Sequence, residues 1–279
     1  MNKGSMNTRV SVIALLLSLP AAQAAEPIDR QALVARHSPT VTAVDPASPF
    51  MVGNGSIAFT ADITGLQTFP QQYSSLVPLM TQAQWAWHSF PNPRGFKIED
   101  ALVPFKVPGG TRKYPALQNW EQAKAEHIQW LRENPHRINL GRIGLHLVKA
   151  DGRDAAFADL SETRQTLNLW TGRLQSRFVF DGVPVEVETS VHPDRDIVIV
   201  RLRSALLTEG RLGVDLKFPG VGKQLNPDPS DWTHPDTHAT NELSRTAGDL
   251  QLTRAIDDLR YGVRVASDRE LDIDRKSVV

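Results

Sequence analysis

The sequence predicts an all-β fold, a large antiparallel β-sandwich (supersandwich) with long loops and one short helix. Short segments from residue 141 onward alternate apolar and polar side chains with period two, β-branched residues crowd them, and only one stretch repeats at helical spacing. Strands without a βαβ rhythm bury their apolar faces against one another, as two packed sheets.

Taken along the chain, a first strand is expected from Ile57 to Thr64. The helix falls at Asn119 to Arg132, where Trp120, Ala123, Ala125, His127, Ile128 and Leu131 recur near helical spacing and Asn134-Pro135 ends the run. Ile143, Leu145 and Leu147 open a strand, and another covers Thr166 to Leu169. Asp181-Gly182, between Phe178-Val179-Phe180 and Val183-Pro184-Val185-Glu186-Val187, marks a hairpin, because Gly accepts the positive φ such turns demand. Further strands follow at Ile197 to Leu202, Leu212 to Phe218, Leu250 to Leu252 and Tyr261 to Val265. Two stretches, Leu66 to Tyr114 and Gly220 to Asn241, read as long ordered loops, rich in Pro and aromatic residues. No internal repeat is visible.

Lys3 and Arg9, the apolar run Val10 to Leu19 and the triplet Ala22-Gln23-Ala24 have the order of a secretory signal peptide. Residues 1–24 are therefore expected to be cleaved, leaving a periplasmic or secreted protein with no membrane span, since a span needs ~20 apolar residues. The remainder divides into a sandwich domain, 25–273, and a tail, 274–279, whose Asp-Arg-Lys-Ser-Val-Val is expected to be non-native. It resembles a translated sequencing adapter.

Composition narrows the partners. The 31 Lys and Arg balance 31 Asp and Glu, which gives nucleic acid or anionic membrane no overall attraction. With 41% hydrophobic residues the chain can bury a core. It contains 0 Cys, so neither disulfide nor thiolate chemistry is open to it.

The candidate site is the loop Gln84 to Pro93. Trp85, Trp87, His88 and Asn92 there, with Arg137 downstream, form the expected substrate-binding set. Sugar rings present apolar C–H faces and polar rims, which suit indole platforms flanked by hydrogen-bonding groups. An alternative use of the Trp residues, as plugs for the core or a neighbouring domain, is equally open. Arg137 and Arg142 fit either a ligand clamp or ion pairs that lock a strand. His234-Pro235-Asp236-Thr237-His238 alternates possible metal ligands, but a further ligand cannot be identified, so no metal and no cofactor are expected. Gly53-Asn54-Gly55 lacks the following helix and Lys of a phosphate loop. No Gly-x-Ser-x-Gly or His-Glu-x-x-His run occurs, and spacing identifies no catalytic carboxylate pair.

Pro49-Phe50-Met51-Val52-Gly53-Asn54-Gly55-Ser56-Ile57-Ala58-Phe59 resembles the opening of the N-terminal β-sandwich in six-hairpin glycoside hydrolases, the alpha-L-fucosidase-like and maltose-phosphorylase-like enzymes. The segments Arg164 to Gly172, Phe178 to Val183, Glu188 to Pro193 and Ile197 to Leu202 are similar to a second run of those enzymes, with Asn168 where that run carries an acid. The resemblance covers about Pro27 to Leu216. It implies that the catalytic acid and its partner lie on an (α/α)6 barrel missing from this chain. The chain is then expected to be an inactive, truncated N-terminal domain of a secreted glycosidase whose partner is an oligo- or polysaccharide. The alternative is a stand-alone periplasmic carbohydrate-binding module.

Overall fold

The structure, a computed structural model, describes residues 27–73, 76–115, 120–222 and 228–269. The expected signal peptide and tail lie outside the described residues. The chain is built mostly of antiparallel strands, as the periodicity predicts. In order these are β1 (Thr40–Val41), β2 (Phe50–Gly53), β3 (Ile57–Ala61), β4 (Thr81–Ala83), β5 (Trp87–His88), β6 (Leu102–Val107) and β7 (Gly110–Pro115). Then come β8 (His136–Arg137), β9 (Arg142–Leu147), β10 (Leu160–Asn168), β11 (Arg173–Phe180), β12 (Val183–Val191) and β13 (Val198–Arg203). The last are β14 (Leu212–Lys217), β15 (Gly220–Val221), β16 (Ser230–Asp231), β17 (His238–Thr246), β18 (Asp249–Ile256) and β19 (Leu259–Ala266).

One layer is the five-stranded sheet β1-β10-β11-β12-β13. Its central hairpin turns at Asp181-Gly182, both at positive φ, in the predicted place. Alternation along β11 and β12 sends Leu174, Phe178, Phe180, Val185 and Val187 inward. They meet Val52, Phe59 and Ala61 of the sheet β2-β3-β4, and Leu145, Leu147 and Leu212 of the pair β9-β14. This apolar interior supplies the main drive to fold, at roughly 25 cal/mol per Å2 removed from water.

The two small sheets of the second layer are joined by one side chain. Gln67 donates its backbone N–H to Ile143 O (2.8 Å), accepts from Ile143 N at Oε1 (3.2 Å) and donates from Nε2 to Thr60 O (2.9 Å). Its amide thus takes the part of a strand peptide between β3 and β9. The preceding turn is buried against the large sheet: Gln165 Nε2 donates to Asp62 O (2.6 Å) and Thr189 Oγ1 to Gly65 O (2.7 Å). Gly65 has φ +93°, and a Cβ there would come within 2.8 Å of Ser176 Oγ, so both conformation and space require glycine. Asp62 closes the turn by accepting from Thr64 N (2.8 Å) and Phe69 N (2.6 Å).

Three regions depart from expectation. The single helix is two segments, α2 (Trp120–Ala123) and α3 (Glu126–Glu133), because Ala125 is extended; another, α1 (Arg30–Ala35), is capped by Asp29, whose Oδ1 accepts from Ala32 N (3.0 Å). The expected loop 66–114 contains the short strands β4 and β5 and the hairpin β6-β7, which turns at Pro108-Gly109. The expected loop 220–241 contains the short pair β15-β16 and runs into β17, which joins β18 and β19 in a three-stranded sheet. Strands β7 and β17 expose most of their residues, so neither carries an apolar alternation.

Burial pushes the Asp62 carboxyl up to about 6, against the donated hydrogen bonds that pull it down. The folded state then holds this proton more tightly than the unfolded chain, so the group's contribution is greatest below about pH 4 and is lost as pH rises through 6. The difference is roughly 3 kcal/mol. Urea denaturation of Asp62→Asn is expected to lack this component between pH 4 and 7; a variant with the parent's pH profile contradicts it. Gln67→Ala leaves Thr60 O and Ile143 N unpaired in the second layer, an expected loss of about 2–4 kcal/mol in the same measurement.

Candidate functional site

The site grows from the end of β4. The chain turns through Gln84, Trp85 and Ala86 and pairs β5 with β8, setting Trp87 opposite Arg137 and His88 opposite His136. Ile138 N donates to Ala86 O (3.1 Å) and Leu140 N to Thr81 O (2.8 Å), which extends the junction on both sides. Ala86 and Ile138 are buried in a second apolar cluster with Ile57, Ala83 and Ile256. The turn therefore stands on a packed base.

Above that base the indoles of Trp85 and Trp87 are 44% and 45% exposed, so neither plugs the interior of the described chain. Trp85 Nε1 donates to Asp196 Oδ2 (2.7 Å), and its ring lies 5.8 Å from that of Tyr261 on β19. Tyr261 in turn donates its hydroxyl to Leu140 O (3.1 Å). The Arg137 guanidinium sits 4.4 Å from the Trp87 ring centroid and donates to Ala83 O (2.7 Å). That cation–π contact contributes about 0.5–1 kcal/mol at such an exposed position.

His88 lies beneath. It is buried, and its Nε2 meets Asp257 Oδ2 at 2.8 Å. Asp257 stands at the β18-β19 turn with φ +46° and presents a half-exposed carboxylate to solvent. His136 is fully buried, with Nδ1 on Glu133 O (2.6 Å) and its ring centroid 5.1 Å from that of His88. Phe90 packs on both rings. Since a carboxylate and a carbonyl only accept, the ring protons sit on His88 Nε2 and His136 Nδ1. His88 Nδ1 and His136 Nε2 are left buried without a hydrogen-bond partner among the described residues.

Of the five sequence-predicted residues, Trp85, Trp87, His88 and Arg137 gather here. Asn92 sits farther along the loop and spends its amide on Phe96, accepting from Phe96 N (2.9 Å) and donating to Phe96 O (2.9 Å). Arg142 joins a different cluster, stacked 4.0 Å over Trp232 and paired with Asp228 at 3.2 Å. His234 binds Asp231 (2.7 Å), whereas His238 accepts from Arg254 (2.9 Å), so the two imidazoles of that motif serve different partners. Among the described residues no three His, Asp or Glu side chains assemble a metal site, and no helix is long and apolar enough to cross a membrane.

Asp196, Asp257, Tyr261 and His136 belong to the site but carry no signal of it in sequence. The nearest cue is that Asp257-Asp258, a turn-favouring pair, falls between two expected strands. Neither a scan of protein-family models nor a search of curated proteins returned a match to this chain.

Burial lowers the pKa of His136, with a smaller lowering from His88, against the raising effect of the Glu133 carbonyl. The folded state thus favours the neutral ring, and the stability this gives above about pH 6.5 is lost as pH falls. This slope is opposite in sign to that of Asp62. In urea denaturation His136→Phe is expected to lose less stability between pH 7 and 5 than the parent, whereas an equal loss contradicts a neutral His136.

Proposed function

We propose that this chain is the non-catalytic N-terminal β-sandwich domain of a secreted six-hairpin glycoside hydrolase, and that it meets carbohydrate at the Trp85–Trp87 turn. The observation that carries the reading is the pair of half-exposed indoles on one braced turn, with Asp196 at the edge of Trp85, Arg137 over one face of Trp87 and Asp257 on the neighbouring His88. Flat apolar rings bordered by acceptors and donors match the two kinds of surface a pyranose presents. By the family resemblance, the acid and base of hydrolysis would come from a helical barrel and not from this chain.

A partner domain also accords with the inner side of β17-β18-β19. There Leu250, Arg254 and Ile256 are buried, but Leu252, Val263 and Val265 along the same side are only partly covered. A stand-alone carbohydrate-binding module would use the same turn, so the two readings part on that face. An isolated chain that binds 8-anilinonaphthalene sulfonate and self-associates is the expectation for the domain; a monodisperse chain that stays dark favours the module.

The carbohydrate claim is checked by titrating Trp87→Ala and Trp85→Ala with a panel of oligosaccharides in a calorimeter. Loss of a platform ring is expected to weaken binding at least tenfold. Trp87→Ala should keep the parent's stability within about 1 kcal/mol, because the side chain is not in the core. Undiminished binding by both variants removes the turn from the function.

A further inference from the structure

The chain is neutral as a whole, yet its charges are unevenly placed on the solvent face of the five-stranded sheet. Register aligns Arg164 of β10, Arg177 of β11, Glu186 of β12 and Arg203 of β13 in one row across the strands. The next row runs Thr166, Gln175, Glu188 and Arg201, and Arg173 follows beside Asn168. Alternation confirms the face: Leu174, Ser176, Val185, Val187 and Gln165, the neighbours of these residues, are all buried. Five arginines thus stand against two glutamates in these rows. Glu162 lies in the bulge outside them.

The glutamates do not cover the arginines. Glu186 is shared by Arg177 (3.3 Å) and Arg203 (3.9 Å), and Glu188 is approached by Arg173 (3.6 Å). Arg164 and Arg201 form no ion pair among the described residues. Arg164 moreover sits directly opposite Arg177, and like charges in directly opposed positions on adjacent strands are destabilising. Folding alone gains nothing from that placement. An anion between the two guanidinium groups would relieve it.

We infer that this face binds a carboxylated polysaccharide. Guanidinium groups pair with carboxylates through two parallel hydrogen bonds, and the arginines stand on close backbone positions: Arg164 and Arg177 on adjacent strands, about 4.8 Å apart, and Arg201 and Arg203 two residues apart on β13, about 6.8 Å. Glu186, Glu188 and Gln175 line a shallow depression of about 60 Å3 with Arg201 and Arg203. These acceptors suit hydroxyl groups, so the ligand that fits carries hydroxyls as well as negative charge. Nucleic acid fits less well, since no aromatic side chain on the rows offers a base a stacking surface. The surface is separate from the Trp85–Trp87 turn, and this inference stands without that reading.

The test is affinity electrophoresis and fluorescence titration of the chain with polygalacturonate, with neutral dextran and a DNA duplex alongside. Polygalacturonate is expected to bind and to weaken as salt rises, with dextran and the duplex bound at least tenfold more weakly. The double variant Arg164→Ser/Arg201→Ser should lose at least tenfold in affinity. It should still fold, because neither side chain has a carboxylate partner, and circular dichroism verifies this. Glu186→Gln, which adds to the positive excess, should bind a few-fold more tightly, while Trp87→Ala should bind polygalacturonate like the parent. Absence of binding at low salt, unchanged affinity in a folded double variant, or equal affinity for the duplex overturns the proposal.

Discussion

A turn buried between two sheets has to find hydrogen-bond partners inside the core, and the turn from Asp62 to Gln67 does so on three sides. Its carbonyls are taken by Gln165 and Thr189 of the large sheet, its own Asp62 carboxylate holds the amides of Thr64 and Phe69, and Gln67 bridges β3 to β9. Leaving any of these groups unpaired costs about 1–3 kcal/mol. The polar turn therefore fixes how the layers sit, while the apolar side chains around it supply the drive. Sliding one layer past the other would break several of these bonds at once.

The candidate site inherits that rigidity. Thr81 lies at the start of β4, where its amide donates to Asn139 Oδ1 (3.0 Å) and its carbonyl accepts from Leu140. The chain from Thr81 to His88 is thereby tied to residues 136–140 before Trp85 and Trp87 emerge. Two buried imidazoles underlie the exposed indoles, and one of them, His88, holds the Asp257 carboxylate at the surface. The arrangement places fixed polar groups beside flat apolar rings, the pairing that recognition of a hydroxylated ring requires.

Sequence legibility followed burial. Strands β10 to β13 of the large sheet and β9 were readable because one side of each faces the core, and a half-buried strand must alternate; the two-residue edge strand β1 is too short to show a period. The hairpin β6-β7 and strand β17 lie in solvent on most of their length, so their side chains are under no such constraint; the Pro108-Gly109 turn was a cue to the former. The two segments α2 and α3 share a helical periodicity that runs across the extended residue between them. At the site, Trp85, Trp87, His88 and Arg137 were legible from chemical type within short stretches. Asp257, Tyr261 and Asp196 were not, because they reach the same place from hairpins and turns far along the chain.

By itself the sequence determined the all-β class, the central hairpin and the clustering of aromatic and hydrogen-bonding residues in one Pro-stiffened loop. These follow from local periodicity, turn chemistry and composition, which need no knowledge of distant contacts. The tertiary structure alone decided that Trp85 and Trp87 stand exposed while His88 is buried beneath them, and that Asn92 closes its own loop. It also decided that a neutral chain gathers five arginines on one sheet face. Net charge is a sum over residues, but the field a ligand meets depends on which strands lie side by side and in what register.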